Sequence, residues 1–214
     1  MKIATVIVTR GKSCHVKTLH TILRFNILCI QTGGIQNEVM FVNDDPFEKS
    51  DVIHKVIKTH DRIFFVDFGI HVDDESMKMV LNKNEGFGVM VFPGVKEGIN
   101  WNMFKEKVNS DSQEPTEQLG LEFDTEVSTK ISENIYNVKT TGAKSWVIMS
   151  KNVLKQIKDK RSGTHKIHPK LDTMFNKFKE NGVKIVAFTA AKLVHTYSHE
   201  CIGNIVNSSG VKAT

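Results

Sequence analysis

Arginine is scarce in this 214-residue chain: Arg10, Arg24, Arg62 and Arg161 are the only four among 29 basic residues. Proteins that read nucleic acid usually gather Lys and Arg on one face beside aromatic platforms, whereas the lysines here are dispersed. The formal net charge of +5 suits an anionic small molecule equally well. Three cysteines, Cys14, Cys29 and Cys201, are odd in number and lack close metal spacing. They support neither a disulfide framework nor a zinc knuckle. No apolar run approaches the length of a membrane span, and the opening "MKIATVIVTRGK" turns polar too early for a secretory signal. The chain reads as soluble and cytoplasmic. The phosphate-binding signatures GxxxxGK[ST] and GxGxxG are missing, and "HTYSH" at 195–199 lacks the glutamate of a zinc HExxH helix.

What is present is alternation. "IATVIVT" (Ile3–Thr9), "EVMFVN" (Glu38–Asn43), "RIFFVD" (Arg62–Asp67), "GVMVF" (Gly88–Phe92), "SWVIMS" (Ser145–Ser150) and "VKIVAFT" (Val183–Thr189) read as buried strands. Between them lie helical patterns. Val16, Leu19, Ile22, Leu23 and Ile27 recur at helical spacing before Gly33, and Val52, Ile53, Val56 and Ile57 follow the helix opening Asp45-Pro46. A helix starts near Lys151, and another carries Leu171, Met174, Phe175 and Phe178 up to Gly182. This pattern predicts an α/β chain with one mostly parallel, mixed sheet flanked by helices. The stretch from Lys105 to Asn137 is polar and weakly patterned, and reads as a long loop or small excursion. "KQIKDKRSGTHKIHPK" (Lys155–Lys170) is dense in positive charge and reads as a solvated loop ahead of a specific anion site.

In an open parallel sheet, ligands bind beyond the carboxyl ends of the strands. Those ends carry "TRGKS" (Thr9–Ser13), "NDD" (Asn43–Asp45) and "DFGIHVDD" (Asp67–Asp74). A glycine after Arg10 lets backbone N–H groups approach an anion, and Arg10 or Lys12 complements phosphate charge. Asp44 and Asp45 can accept from a base or a ribose, although Asp45 alone serves equally as a helix cap. Carboxylates at the third strand end suit a divalent cation with oxygen ligands.

The strand ending in Thr-Arg, the strand ending in "NDDP", and a hydrophobic strand running into an acidic motif resemble the nucleotide-binding half of GT-A type glycosyltransferases. The likeness covers Met1 to about Trp101. It implies one GT-A-like, Rossmann-like domain over 1–214, with a nucleotide-binding half at 1–101 and an acceptor-side half with a closing segment at 102–214. It further implies a UDP-sugar donor, a glycan or glycoprotein acceptor, and Mn²⁺ or Mg²⁺ held by an Asp-x-Asp. Here that motif reads Asp67-Phe68-Gly69, so the second acid is missing, and His71, Asp73 and Asp74 stand as replacement ligands. "KLDTMFNKFKENGVKI" is similar to the family's acidic helix start and makes Asp172 the candidate catalytic carboxylate. Glu122 and Asp124 in "GLEFDTE" rank behind it. "AKLVHTYSHECIGNIVNSSG" resembles the closing segment, with His199 as a metal ligand and Gly203 beside the diphosphate; His195 reads better as a buried strand histidine. Within the family, "TVIVTRGKS" and "FVDFGIHVDD" are similar to the amino-terminal domain of a chlorella virus protein that decorates the major capsid protein. That implies transfer of a hexose or deoxyhexose to a capsid glycoprotein in host cytoplasm, and a chain that is a fragment of a longer polypeptide. Two rivals stay open: a sugar-1-phosphate nucleotidyltransferase, for which "TRGKS" is a short version of the usual glycine-rich loop, and a non-enzymatic basic module that binds nucleic acid. Trp101 and Trp146 are candidates for stacking on a sugar, with core packing the commoner use of tryptophan.

Overall fold

A computed structural model describes residues 1–83, 86–110, 112–114, 119–158, 168 and 170–196, with the side chain of Asp172 outside that description. The elements in chain order are β1 (Lys2–Thr9), α1 (Val16–Thr32), β2 (Gln36–Asn43), α2 (Pro46–Val56), β3 (Arg62–Val66), β4 (Ile70–His71), α3 (Asp74–Leu81), β5 (Val89–Phe92), α4 (Trp101–Asn109), β6 (Thr125–Ser132), β7 (Ile135–Thr141), β8 (Ser145–Met149), α5 (Ser150–Ile157), α6 (Leu171–Glu180), β9 (Ile185–Phe188) and β10 (Val194–His195). Eight of the strands form one sheet in the order β2-β1-β3-β8-β5-β9-β7-β6, and β10 pairs with β4 in a small second sheet. The pairings leave β1, β2, β3, β5, β9 and β6 running one way, with β8 and β7 reversed. The expected mixed, mostly parallel α/β sheet is therefore present. It is assembled from strands of both halves of the chain.

The strands form where the sequence is continuously apolar, since both faces are covered. β3, β5, β8 and β9 are buried along their whole length. On one face Ile63, Phe65, Trp146, Met174, Phe175 and Phe178 make a core under α2, α5 and α6. Trp146 stacks on Phe65 with ring centroids 4.5 Å apart, which adds about 1 kcal/mol beyond the buried area. The other face packs Phe25, Phe64, Phe92, Met77 and Val80 under α1 and α3. Trp146 is thus core, while Trp101 is exposed at the start of α4.

Two expectations are corrected. The stretch read as a loop holds α4 and the β6–β7 ribbon, which turns at Asn134 with φ 58°. β6 is exposed at every residue but Thr125, so it never needed the apolar alternation by which strands are recognised. In α1, the residues facing the core are Thr18, Thr21, Ile22, Phe25 and Cys29. Of the apolar set read from the sequence only Ile22 is among them; Val16, Leu19, Leu23 and Ile27 point outward.

Candidate functional site

The carboxyl ends of β1, β2 and β3 lie side by side because these strands are parallel neighbours in register, Thr9 opposite Asn43 and Ile7 opposite Val66. After Thr9 the chain makes a tight turn in which Arg10 and Ser13 exchange backbone hydrogen bonds of 3.1 and 3.0 Å. Gly11 and Lys12 both have positive φ, 55° and 62°, as a two-residue primed turn requires. This turn uses the amides of Arg10 and Ser13 and aims side-chain cations, more than backbone N–H groups, at the strand ends. The Arg10 Nε–H donates to Asp44 Oδ2 at 2.7 Å, and its guanidinium lies 5.0 Å from the Phe68 ring centroid.

Lys49 enters the same cluster from α2. Its ammonium donates to Asp44 Oδ1 and lies 3.9 Å from Asp67 Oδ1, with a side chain only 10% exposed. The two carboxylates are thereby spanned by one buried cation. Lys49 and Arg10 together outweigh desolvation and hold the Asp44 carboxyl below its ordinary range. Burial instead raises Asp67, opposed by Lys49 and by the Phe68 N–H. Lys49 carries a signal in the sequence: it sits three and four residues before Val52 and Ile53, on the apolar stripe of α2, where a lysine requires a buried anionic partner.

Asp45 is the N-cap of α2, accepting from the N–H groups of Phe47 and Glu48 at 2.9 Å each. The missing second acid has a steric cause. Gly69 has φ +74°, and a Cβ there would stand 2.7 Å from the carbonyl oxygen of Thr196, so the β4–β10 pairing leaves no room for an aspartate. The replacement ligands do not gather. Thr21 Oγ1 lies 3.1 Å from His71 Nδ1, Asp73 caps α3 and accepts from Lys192 N–H at 3.0 Å, and Asp74 pairs with Arg24. These three serve the α1 and α3 side, whereas Asp67 faces Lys49 of α2. Among the described residues no group of three or more His, Cys, Asp or Glu is placed to hold a metal ion. Asp67 therefore stands apart from His71, Asp73 and Asp74; His199 and Gly203 lie outside the described residues.

A cavity of about 650 Å³ wraps the end of edge strand β2, lined by Thr9, Lys12, Phe41, Asn43, Glu48 and Asp51 among others. Its volume lies within the range of small-molecule and cofactor sites.

Across Asp67 a second polar group sits at the end of β5. Asp124 and Gly94 exchange backbone and side-chain bonds: Asp124 N–H donates to Gly94 O at 2.9 Å and Gly94 N–H to Asp124 Oδ1 at 3.1 Å. The Thr125 hydroxyl also donates to Oδ1, at 2.8 Å. Asp124 Oδ2 is buried and has no hydrogen-bond partner among the described residues. A Cβ on Gly94 would lie 2.4 Å from His195 Nε2 and 3.2 Å from Asp124 Oδ2, so only a glycine fits against the imidazole and the carboxylate at this position. Burial raises the Asp124 carboxyl against the pull of Thr125, Gly94 and Lys144. Burial, then Lys144, depress His195 to about 4. Lys144, whose carbonyl accepts from Asp67 N–H at 3.0 Å, acts electrostatically on Asp67, Asp124 and His195 alike. The Asp172 backbone is in the first turn of α6, at the same end of the sheet, since α6 runs back to the start of β9.

The depressed histidine makes stability depend on pH. An unfolded histidine takes up its proton below about 6.5, whereas folded His195 stays neutral until about 4. Its contribution is full above pH 6.5 and is lost as the pH falls toward 4. The raised carboxyls of Asp67 and Asp124 act in the opposite sense, favouring the fold as the pH falls. Differential scanning fluorimetry of wild type and His195→Gln at pH 8, 6.5, 5 and 4 is expected to show a wild-type loss of about 1–2 kcal/mol that the variant lacks, after allowance for partial exposure of the ring. Parallel curves for the two proteins would contradict it.

Comparison with known proteins agrees on architecture. No protein-family model matches the chain, and no curated protein matches it. Among solved structures, A197 from STIV is similar over 92% of this chain and 87% of its own, with a TM-score of 0.55 and 14% identity. A mutant Drosophila beta-1,4-galactosyltransferase 7 in complex with manganese, UDP-Gal and xylobiose gives a TM-score of 0.48 at 9% identity, over 94% of this chain and 73% of that one. The inositol-1-phosphate CTP transferase from T. maritima gives 0.45 at 10% identity, over 98% of both chains. The first of these likenesses establishes a shared fold. What defines the protein here is a Rossmann-like α/β sheet with charged groups gathered at its carboxyl end.

Proposed function

We propose that the chain transfers a sugar, a hexose or deoxyhexose, from a UDP-sugar to a hydroxyl of a glycan or glycoprotein. The observation that carries this reading is the row of cations and carboxylates along the ends of β1, β2 and β3, beside a cavity of nucleotide size, with the buried Asp124 carboxyl at the end of β5 in the same sheet. In this reading the base and ribose occupy the cavity near Asn43 and Asp44, and Thr9 lines its floor. Arg10, Lys12 and Lys49 face the diphosphate, where negative charge grows as the sugar bond breaks. Fixed cations positioned before reaction stabilise that charge without reorganisation. Asp124, held with a raised carboxyl, takes the proton of the attacking hydroxyl. Asp172, the carboxylate suggested by the family resemblance, is tested beside it. The acceptor class follows the same resemblance, a capsid glycoprotein being its particular case.

In this reading Arg10, Lys12 and Lys49 supply the described charge that meets the leaving diphosphate. A thermal-shift panel of UDP, GDP, CMP and ADP, each with Mn²⁺, Mg²⁺ or EDTA, tests the reading. UDP at about 100 times its Kd is expected to raise Tm by about 5–10 °C in EDTA as well as in metal. A response to UDP in metal alone would mean that a divalent ion held by Asp67 with His199 supplies the charge. A response to no nucleotide at all, with salt-sensitive binding of an oligonucleotide, would replace the enzyme by the binding-module reading.

A further inference from the structure

The outward face of α1 is apolar for its whole length. Val16, Leu19, Leu23, Ile27 and Ile30 are between 43% and 78% exposed. At 3.6 residues per turn they fall within an arc of about 80° that no polar residue interrupts. The core-facing residues of the helix occupy the opposite side, so this stripe is a second apolar face, and the fold leaves it uncovered among the described residues. A 17-residue helix makes it roughly 25 Å long.

One edge of the stripe is basic. Lys17, His20 and Arg24 follow one another along it, and α1 contains no acidic residue. Arg24 pairs with Asp74 of α3 while remaining about half exposed, and Lys78 lies beside the same pair. The bias extends beyond the helix. Lys2, Arg10, Lys12, Lys17 and Arg24 fall in the first 37 residues without a single Asp or Glu, so the whole formal charge of +5 resides there and the rest of the chain is balanced.

We propose that α1 seats the protein on an anionic lipid surface, with its aliphatic stripe at the boundary between headgroups and acyl chains and its basic edge on the headgroup charge. A continuous aliphatic stripe with cations along it is the pattern of a helix that lies in the membrane interface. Pairing of two copies through α1 is disfavoured, because the helix offers no acidic residue to complement its own cations. The seating is independent of the reaction proposed above.

Co-sedimentation of the full chain with phosphatidylcholine vesicles, and with vesicles containing about 30% phosphatidylserine, tests it. At low salt, binding to the anionic vesicles is expected to exceed binding to the neutral ones at least tenfold and to fall in 0.5 M NaCl. The double variant Leu23→Asp/Ile27→Asp is expected to lose it at unchanged Tm, and Lys17→Glu to weaken it severalfold. Failure to bind either vesicle would overturn the proposal. So would light scattering that shows a wild-type dimer and a monomeric double variant, which would assign the stripe to a second copy of the chain.

Discussion

Lys49→Met is expected to lower UDP affinity at least tenfold and Tm by about 5–10 °C. The substitution keeps the length and the buried aliphatic stem of the side chain, and removes only the ammonium. Asp44 and Asp67 would then face each other at the strand ends without the cation that now spans them. Breaking a buried pair from one side costs about 3–5 kcal/mol; Asp44 is 30% exposed, and Arg10 remains beside it, so about 2–3 kcal/mol is expected here. For a chain of this size each kcal/mol moves Tm by roughly 2–4 °C. A second variant separates stability from binding. Lys49→Met with Asp67→Asn removes one uncompensated carboxylate, and is expected to recover part of the lost Tm without restoring UDP binding. Recovery of both would show that Lys49 serves only the fold. Thermal unfolding and isothermal titration with UDP supply the two readouts.

Asp124→Asn is expected to reduce kcat for sugar transfer by about 10²–10⁴-fold and yet to stabilise the protein at pH 8. The asparagine retains Oδ1, and with it the bonds from the Gly94 N–H and the Thr125 hydroxyl. What it loses is the charge on Oδ2, the buried oxygen with no partner among the described residues. Burial raises this carboxyl above its ordinary value of 3.8, so in the wild type the associated stability is full below about pH 3.8 and is lost as the pH rises through the raised value. At pH 8 the wild type carries that cost and the variant does not. The expected gain is about 1 kcal/mol at pH 8, vanishing near pH 4. A variant that keeps most of its kcat while Asp172→Asn abolishes it would move the proton-accepting role to α6. A variant that is less stable at pH 8 would show that the charge of Asp124 is needed by the fold.

Much of the fold was legible because buried parallel strands leave an unmistakable trace. Where both faces of a strand are covered the run is nearly all apolar, as in "IATVIVT" and "RIFFVD", and the same trace marks "SWVIMS", which runs antiparallel between β3 and β5. The carboxyl ends of those strands could likewise be located, and with them Thr9, Arg10, Asp44 and Asp67. The ribbon of β6 and β7 was not legible, because a strand exposed to solvent has no hydrophobic pattern to display. Nor was the orientation of α1. Its chain carries two apolar stripes, and helical periodicity alone does not say which of them meets the sheet.

The sequence by itself determined the class of fold, the strand ends at which charge collects, and the excess of positive charge in the first 37 residues. These are local properties, set by composition and by spacing along the chain. Tertiary structure alone decided the membership of the site. It brought Lys49 of a helix between carboxylates from two different strand ends, excluded an acid at Gly69 by seating Thr196 against it, and drew Asp73 and Asp74 into helix capping and an ion pair. It also set Asp124 and His195, residues 71 positions apart, against the same glycine, Gly94. Electrostatic interaction and steric exclusion act over a few ångströms of space, whatever the distance along the chain, and sequence spacing carries no record of them.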